Sequence, residues 1–515
     1  MNINFQSEYS LTDFNKIIIN IENINLGLAN AIRRSLLSEI PIIGFNDNWN
    51  NEKHLRNIVI EKNNTAVHNE FLAHRLSMIP ICQFQSVHLK NMVTSHYDEK
   101  EKIRTFSMDP ELAELRFKLN ISTSEEDKLN LNDKLNKRID EITELISGLE
   151  TDNKVFIDGK ETIEFLESQK DKYKITTDLI KVYKGEELLQ SNDIFLKDSF
   201  TDDYPLIYYF TKMDNEEQEI DLEMKPTLNI GRYNSSYCPV GTVSMKFLED
   251  DSQVNNVFIE KLKYKHQERV EKGLNTYISD SSLLDKLDDI ITNPGYYSDF
   301  KDDIDYIISE KKSFDLLDRE RVYKMDSNGD PLEFQFIIES IGQFPSVQLL
   351  YDSIFILKLK LHDILNNISF NSGNFIIKDK LEHTINTDLE WVLKVKNENH
   401  TIGNLVNDYL KSNKYVSFGG YKMPHPLKEE IEFYINLNKK KDMKDFYKET
   451  LETDVPEEHL DFSKNMTILI FFNTITEIIK NIDKLLLKIE GNPDLENISP
   501  SFKYDKEDIK IDLFK

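Results

Sequence analysis

The sequence LANAIRRSLLSEIP, residues 28–41, decides the fold. Its aliphatic residues recur every four positions, which predicts a helix with one buried stripe that ends at the proline. The isoleucine-rich run at 16–21 predicts a strand directly before this helix. Arg33 and Arg34 lie off the stripe, so at least one guanidinium group should point away from the core.

A weak copy of this pattern lies near the other end of the chain, at a constant offset of 374 residues (399 − 25). In both copies an asparagine caps the predicted helix, and a small residue follows that lets another backbone approach closely. Two halves that open with the same strand and helix could pack about a pseudo-two-fold axis. Many unrelated amphipathic helices also begin this way, so the spacing alone leaves both interpretations open. The matched pairs are Asn25 with Asn399, Leu28 with Ile402, Ala29 with Gly403, Asn30 with Asn404, Ile32 with Val406 and Leu36 with Leu410.

Apolar periodicity predicts further elements along the chain. A second helix is predicted at 70–78, a strand at 334–338 and a long apolar-striped helix at 347–368, followed by a linker near 369–374. The last part of the chain is predicted to hold a strand at 389–396, a helix from Thr401, a charged connection at 439–464, a strand at 466–472 and a final helix at 475–489.

Two acidic regions are harder to assign. Residues 122–149 have the spacing of an amphipathic helix, and Thr123 and Glu126 have capping-box spacing. The run is shorter than four heptads, so a two-helix embellishment packed on its own domain is favoured over a coiled coil. Residues 248–330 are rich in Asp, Lys and Tyr, which predicts irregular helix and loop.

Composition excludes several classes of function. The formal net charge of −27 argues against direct binding of DNA or RNA, because such proteins need basic surface to displace phosphate counterions. Two cysteines, Cys82 and Cys238, cannot supply a four-ligand zinc site. The sequence has no run of 18 apolar residues, so no membrane span is expected.

No catalytic motif is found in the sequence. It lacks a phosphate-binding glycine loop, a nucleophile elbow and the clustered aspartates that hold magnesium in a polymerase active site. The stretch 326–330 resembles the start of a calcium loop. However, Pro331 stands where the loop needs glycine and Ile337 where it needs glutamate, so a surface turn is predicted. We expect no catalytic residue, metal ion or cofactor.

The 28–41 stretch closely resembles the signature of the alpha-like subunits of cellular RNA polymerases. Further blocks in the same order are similar to the archaeal D subunit and the third-largest subunit of eukaryotic polymerase II: NTAVHNEFLAHRLSMIP at 64–80, KVYKGEE at 181–187, YCPVGTV at 237–243 and IESIG at 338–342. ENHTIGNL at 398–405 and VSFGGYKMPHPL at 416–427 resemble the smaller partner, the archaeal L subunit and its eukaryotic counterpart.

The resemblance implies an α+β chain in which the RNA polymerase alpha-like dimerisation fold is present twice, as an internal pseudo-dimer, with an inserted mainly β domain in the first copy. Such fusions resemble those of large cytoplasmic DNA viruses, which would suit the AT-rich coding implied by abundant Asn, Ile and Lys. The expected domains are 1–42 with 243–370 for the first copy, 43–242 for the insertion with an acidic helical embellishment near 95–170, 380–492 for the second copy and 493–515 for a C-terminal tail.

The sequence departs from the family in three respects. The zinc or iron–sulfur cysteines that cellular relatives often carry in the inserted domain are missing. The acidic regions 95–170 and 250–330 are longer or more divergent than the family pattern. Ser77 stands where glycine is usual, which puts the local turn in doubt.

The function implied by the resemblance is a non-catalytic assembly platform of a multi-subunit DNA-directed RNA polymerase. The expected partners are the two largest polymerase subunits and a small adaptor subunit, with DNA and RNA met only indirectly and no membrane contact. A viral chain would act in the host cytoplasm, in the viral factory, and in the virion; otherwise it would act in the nucleus. The alternative is a free-standing acidic protein-interaction scaffold of the same fold.

Two sets of residues are candidates for these roles. An arginine pair on a helix of an acidic chain is suited to bidentate contacts with a partner's carboxylates, and its counterparts in the second copy are Asn407 and Asp408. Local ion pairs for the arginines, packing for His74, and turn roles for 421–425 remain open. The predicted partner-binding residues are Arg33, Arg34, His74, Arg75, Tyr421, Lys422 and His425. The predicted intramolecular dimerisation residues are Leu28, Asn30, Ile32, Leu36, Ile354, Leu357, Leu361, Asn404, Leu405, Tyr409, Ile482 and Leu486.

Overall fold

A computed structural model gives the architecture of the chain. It describes residues 2–5, 16–49, 52, 55–98, 103–123, 137–147, 160–163, 172–189, 193–197, 203–211, 217–326, 329–367, 375–376, 390–438, 443–451, 459–493, 495 and 498–506.

The described part of the chain mixes helix and sheet. Its strands are β1 Asn2–Phe5, β2 Lys16–Glu22, β3 Pro41–Gly44, β4 Ile58–Asn63, β5 Val93–Asp98, β6 Ile103–Met108, β7 Leu115–Ser122, β8 Lys172–Thr176, β9 Lys181–Lys184, β10 Glu187–Leu189, β11 Leu206–Thr211, β12 Glu219–Met224, β13 Thr227–Ile230, β14 Val240–Phe247, β15 Glu333–Ser340, β16 Phe375–Ile376, β17 Glu390–Lys396, β18 Val416–Lys422 and β19 Glu430–Leu437. Its α-helices are α1 Leu26–Ser38, α2 Asn69–Ser77, α3 Asp251–Glu271, α4 Leu287–Thr292, α5 Lys301–Leu317, α6 Ser346–Asn367, α7 His400–Ser412, α8 Met443–Leu451 and α9 His459–Glu490.

The first sheet joins elements far apart in sequence. Its strand order is β1-β2-β15-β14, and every neighbouring pair is antiparallel. Strand β2 alternates buried and half-buried residues, so Ile17, Ile19 and Ile21 all face the core. Helices α1 and α6 pack on this sheet. The predicted strands at 16–21 and 334–338 are confirmed, and the two predicted helices are described as Leu26–Ser38 and Ser346–Asn367.

The C-terminal part contains a second antiparallel sheet, with the order β16-β17-β19-β18. Helix α7 packs against β18 and β19, and α9 packs against β19. The Trp391 indole N–H donates a 2.7 Å hydrogen bond to Ser463 Oγ, which joins the sheet to α9 in the core. The predicted strand is confirmed over Glu390–Lys396, as is the helix from Thr401, whereas β18 and β19 were not predicted individually.

Among the residues described between β3 and β14, more lie in strands than in helices. A five-stranded antiparallel sheet with the order β10-β9-β7-β12-β4 is joined by the two-stranded pairs β5-β6, β11-β8 and β13-β3. Phe117 of β7 is fully buried and meets Phe45 edge-on, with ring centroids 5.0 Å apart. Serine at position 77, where the family usually has glycine, requires no unusual backbone conformation. Ser77 is the last residue of α2, and its hydroxyl donates a 2.7 Å hydrogen bond to the His74 carbonyl.

The prediction of irregular helix and loop at 248–330 is wrong in part. Helices α3, α4 and α5 form a small core of their own, built on Phe258 and Phe314 with ring centroids 5.4 Å apart. The four-residue spacing of Val254, Phe258 and Leu262 was a usable helix signal, although charged residues surround it. Near its end, Asp326 and Asp330 close the predicted surface turn through a 2.9 Å backbone hydrogen bond.

The predicted strand at 466–472 is wrong, because these residues lie inside the 32-residue helix α9. An apolar run this short cannot be assigned to strand or helix by periodicity when it is buried on all sides. All seven residues of this segment are buried, and α9 packs against helices α6 and α7 and strands β1 and β19. The predicted connection at 439–464 also contains α8 and the start of α9.

The predicted helix at 122–149 is described only in part. Ser122 belongs to β7, and Thr123 pairs with Gln218 through two 2.8 Å hydrogen bonds instead of capping a helix. Residues 137–146 are helical, as expected. Glu126 and the predicted linker at 369–374 lie outside the described residues.

Candidate assembly interface

Helices from the two ends of the chain meet in one layer. Helix α1 packs against α6 and α7, and α9 packs against the same two helices, which closes a four-helix arrangement. The apolar stripes of these four helices therefore cover one another. Ten of the predicted dimerisation residues are buried there, whereas Asn30 and Asn404 are only half-buried: the buried ones are Leu28, Ile32, Leu36, Ile354, Leu357, Leu361, Leu405, Tyr409, Ile482 and Leu486.

Two polar contacts connect α1 and α7 in a reciprocal way. Arg34 Nε donates a 2.8 Å hydrogen bond to Thr401 Oγ1, at the beginning of α7. The Asp408 carboxylate in turn faces the backbone N–H of Gly27, at the beginning of α1. At the offset of 374 residues, Arg34 corresponds to Asp408 and Gly27 to Thr401. The two contacts are therefore equivalent: in each, the later position of one helix (Arg34 or Asp408) contacts the earlier position of the other (Thr401 or Gly27).

Two glycines in this interface leave room for side chains that pack directly on the helix backbone. A Cβ atom on Gly27 would lie 2.5 Å from Asp408 Oδ2, and one on Gly403 would lie 2.6 Å from the Tyr421 ring. Burial raises the pKa of Asp408, against the opposing attraction of Lys411. A carboxylate at the N-terminus of α1 is also favoured by the helix dipole.

The predicted arginine pair divides into two environments. Arg33 donates from Nε and Nη2 to Asn30 Oδ1 at 3.0 and 2.9 Å, within its own helix. Arg34 is directed across the interface, so its partner is Thr401 of the same chain and not a free surface. Neither arginine lies within 4 Å of a carboxylate among the described residues, so the alternative of local ion pairs is not supported.

The remaining counterpart, Asn407, is buried, and its Oδ1 has no hydrogen-bond partner in the described part of the chain. An exposed docking contact is therefore not available to it in this conformation. Arg33 and Asn407 hold corresponding positions in the two helices, and they differ in burial as well as in charge.

A buried ionic network at the edge of the helix layer was not predicted from sequence. Lys360 of α6 lies 3.0 Å from Glu39 and 3.4 Å from Glu398. Arg232, in the loop after β13, lies 2.7 Å from Glu429 and 4.0 Å from Glu39. The network thus joins the C-terminus of α1, helix α6, the loop before α7 and the loop before β19.

Burial sets the protonation of these carboxyl groups. Burial raises the pKa of Glu398 to about 7 although Lys360 opposes the shift, and repulsion from Glu39 adds to it. Burial acts on Glu39 in the same direction, but Lys360 and Arg232 outweigh it and hold the pKa of Glu39 below its usual range. Glu39 and Glu398 both occur in the family-like sequence blocks. The sequence signal for their partner was a lysine in a mostly apolar helix, which Lys358 and Lys360 share.

Helix α2 borders an apolar groove of about 530 Å³ on the surface. Phe71 and Met78, 69% and 61% exposed, lie beside the predicted contact residues His74 and Arg75. Both of these predicted residues are exposed, and Arg75 Nε donates to the Leu206 carbonyl at 3.2 Å. The groove also includes Tyr208 of β11, so two elements build it.

The other predicted contact residues make local contacts. The Tyr421 ring covers Gly403 and meets the His400 ring edge-on at 5.8 Å. Lys422 lies 3.4 Å from Glu432, and His425 Nδ1 accepts a 3.1 Å hydrogen bond from the Leu427 N–H. The hydrogen bond from Leu427 supports a structural role for His425 in the turn, which is the role left open for residues 421–425.

Within the described ranges, no group of three or more His, Cys, Asp or Glu residues is arranged to hold a metal ion. The helices described also include none that is long and apolar enough to cross a membrane. Cys82 is buried and Cys238 half-buried, both as free thiols.

Comparison with known proteins gives two matches to family models. Residues 19–361 match the RNA polymerase Rpb3/Rpb11 dimerisation domain, and residues 390–455 match a second model with the same description. The two matched segments contain the helices α1 and α7, whose contacts are reciprocal.

Curated relatives are similar over a short segment. The chain is 44% identical over 41 residues to the DNA-directed RNA polymerase II subunit rpb11 of Dictyostelium discoideum, which is 8% of this chain and 34% of that protein. It is 46% identical over 39 residues to the DNA-directed RNA polymerase subunit Rpo11 of Metallosphaera sedula, 8% of this chain and 43% of that protein. A probable RNA polymerase II subunit RPB11 of Plasmodium chabaudi chabaudi is 43% identical over 44 residues, 8% of this chain and 35% of that protein. The chain thus spans 34–43% of the length of these relatives.

Proposed function

The chain belongs to the RNA polymerase Rpb3/Rpb11 dimerisation-domain family, and from this premise we propose that it is a non-catalytic platform subunit of a DNA-directed RNA polymerase. In this proposal one polypeptide carries both pairing partners, as an internal pseudo-dimer. The first copy is 1–42 with 243–370, interrupted by the mainly β insertion 43–242, and the second copy is 380–492.

The observation that carries the proposal is the reciprocal pair of contacts between α1 and α7. In a two-fold interface, residue i of one partner contacts residue j of the other, and j contacts i in return. Arg34 with Thr401 and Asp408 with Gly27 follow this rule at one constant sequence offset. A chance packing of two amphipathic helices would not be expected to reproduce it.

The proposed docking surfaces for the two largest polymerase subunits lie outside this interface. The groove beside α2 offers exposed Phe71 and Met78 next to the cationic Arg75, which suits an apolar partner segment with acidic flanks. Arg33 is the member of the arginine pair that remains available at the edge of α1, because Arg34 is used internally. The net charge of −27 supports indirect contact with nucleic acid through more basic subunits, and a small adaptor subunit is expected beside them.

We also propose a viral origin for the fusion, with action in the host cytoplasm and in the virion, or in the nucleus if the chain is cellular. The supporting observations are the AT-rich coding pattern and the presence of both family matches in one polypeptide.

Affinity purification of the tagged full chain from its source, followed by a mass-spectrometric inventory of the subunits, tests the function. The proposal predicts stoichiometric recovery with two much larger subunits and RNA synthesis by that complex. Recovery of the chain without polymerase subunits would contradict it and would favour a free-standing acidic scaffold.

A pair of variants tests the groove in the same experiment. Phe71→Ala with Met78→Ala should reduce recovery of a large subunit while the chain stays folded, because both side chains are mostly exposed. Tyr296→Ala is the matched control, since Tyr296 is 86% exposed and does not line the groove. Equal recovery with both variants would exclude the groove as a docking surface.

A further inference from the structure

The first sheet and the C-terminal sheet repeat one another strand for strand. Their orders, β1-β2-β15-β14 and β16-β17-β19-β18, match position by position. Strand β17 follows β2 by 374 residues (390 − 16), and β19 follows β15 by 97 residues (430 − 333). The register is also the same, since Glu22 faces Glu333 in one sheet and Lys396 faces Glu430 in the other. Positions in the two copies therefore have defined counterparts.

Helices α6 and α9 match in the same way at an offset of 125 residues (479 − 354). Two polar pairs coincide at this offset, Gln348 with Asn473 and Asp352 with Glu477. The counterpart of Lys358 in α6 is then Asp483 in α9. Buried apolar residues coincide as well: Leu350 with Ile475, Ile354 with Ile479, Leu357 with Ile482, Leu361 with Leu486 and Ile364 with Ile489.

Lys358 contacts its own counterpart. Its Nζ atom lies 2.7 Å from Asp483 Oδ1. Seven residues earlier in α6, Tyr351 donates a 2.5 Å hydrogen bond to Glu490, which lies seven residues later in α9, so the two helices are antiparallel. In a two-fold pair a residue meets its own counterpart only at the axis. Lys358 and Asp483 therefore lie at the pseudo-two-fold axis of the proposed pairing.

Charge at the axis discriminates between partners. If two first copies from different chains paired, Lys358 would face a second Lys358. If two second copies paired, Asp483 would face a second Asp483. Like charges placed in direct opposition suppress the wrong pairing. Solvent screens this repulsion only in part, because the Lys358 side chain is 18% exposed.

A second contact between the copies supports the same preference. Lys360 of the first copy lies 3.4 Å from Glu398 of the second. The counterpart of Lys360 is Leu485 and that of Glu398 is Ile24, both apolar and buried. Two second copies would therefore leave Glu398 buried against Leu485 without a cation, which is strongly unfavourable.

We propose that Lys358 and Asp483 determine the specificity of the pairing, favouring unlike copies over like ones, and that Lys360 with Glu398 adds to this preference. The inference rests on the internal pairing in the proposed function and not on the polymerase role. The occupant of each copy's pairing surface is then the unlike copy. Two chains do not join through like copies, because both such arrangements place equal charges at the axis.

Charge reversal in the full chain tests the proposal, because each single reversal reproduces one pairing of like copies. Asp483→Lys places Lys358 against a lysine, and Lys358→Asp places Asp483 against an aspartate. Urea denaturation should show that each lowers the folding equilibrium constant by roughly tenfold relative to the neutral variant Lys358→Gln with Asp483→Asn. The exchanged pair, Lys358→Asp with Asp483→Lys, should return that constant to within about threefold of the natural chain.

Lys480→Asp is the control for the change in net charge, since Lys480 is exposed on the same helix. An exchanged pair as unstable as the single reversals would overturn the proposal, and so would single reversals as stable as the neutral variant. Should both single reversals fail to fold, the exchanged pair decides alone: a folded chain supports the proposal and an unfolded one contradicts it. Purification without polymerase subunits would contradict the proposed function and leave these stabilities unchanged, so the two failures are distinguishable.

Discussion

Arg34 donates a hydrogen bond to Thr401 across 367 residues of sequence, and it does so from the middle of the helix signature that decides the fold. Its neighbour Arg33 bonds only within its own helix. Two adjacent arginines on one helix therefore have different roles: one stabilises the internal interface, and the other remains at its edge.

Arg34→Ala and Arg33→Ala should separate these roles. Hydrogen bonds from charged groups contribute about 1.5–3 kcal/mol, so Arg34→Ala should lower the free energy of unfolding by roughly this amount. Arg33→Ala should lower it less, by about 0.2–0.5 kcal/mol, because both hydrogen bonds of Arg33 go to Asn30 three residues away on the same helix, while weakening recovery of a large subunit. Urea denaturation measures the first effect and co-purification the second. An equal loss of stability in both variants would contradict the assignment of different roles to Arg33 and Arg34.

Gly27→Ala should destabilise the chain, because the new Cβ would meet Asp408 Oδ2 at 2.5 Å. Overpacking of this kind costs about 1–3 kcal/mol, which should outweigh the helix propensity gained with alanine. The double variant with Asp408→Ala should recover most of the loss. Gly295→Ala is the control, since its added Cβ meets no atom within 4 Å. If Gly27→Ala left the free energy of unfolding unchanged, α1 and α7 would have to lie farther apart than in this structure.

Lys360→Met should be among the most damaging single substitutions. It leaves Glu39 and Glu398 buried without their shared cation, and removing one partner of a buried ion pair costs about 3–5 kcal/mol. The triple variant with Glu39→Gln and Glu398→Gln should recover most of that stability, because no unpaired charge remains. Thermal and urea unfolding of both variants provide the test. A triple variant as unstable as the single one would show that packing, not charge, dominates at Lys360.

Asp352 should make stability depend on pH. Burial raises the pKa of Asp352 to about 7 from its usual 3.8, against opposing hydrogen bonds from Ser501 and Gln348. The folded state then binds the proton more tightly than the unfolded state. This contribution to stability is complete below about pH 4 and is lost as pH rises toward 7, by up to about 1.4 kcal/mol per pH unit.

The difference in unfolding free energy between Asp352→Asn and the natural chain, measured from pH 4 to pH 8, isolates this effect. The stability of Asp352→Asn relative to the natural chain should rise with pH. Asp285→Asn is the control, because its side chain is 88% exposed. A pH-independent difference for Asp352→Asn would show that Asp352 titrates normally.

Sequence patterns predicted the parts of the fold that have one buried face. The stripe of α1 and the long apolar helix α6 were both identified, because a 3.6-residue period survives when the opposite face is polar. The same reasoning failed at 466–472, where α9 is buried on all sides and the period is lost.

The surroundings of the candidate contact residues could not be predicted from the sequence. The distinction between Arg33 and Arg34 depends on the position of Thr401, which no local pattern contains. Likewise, Lys360 meets its carboxylates only after three distant segments have packed together. The groove residues His74 and Arg75 were named, but exposed Phe71 and Met78 beside them became evident only in three dimensions.

Expression of residues 1–374 and 375–515 as separate chains tests most directly whether the two ends are pairing partners. The break lies beyond the end of α6 and before β16, so both sheets keep their strands. Native mass spectrometry of the co-expressed pieces should find a one-to-one heterodimer, weakened by Arg34→Ala in the first piece and little affected by Arg33→Ala. Separate monomers, or homodimers of either piece in place of the heterodimer, would contradict the internal pairing on which the proposed function rests.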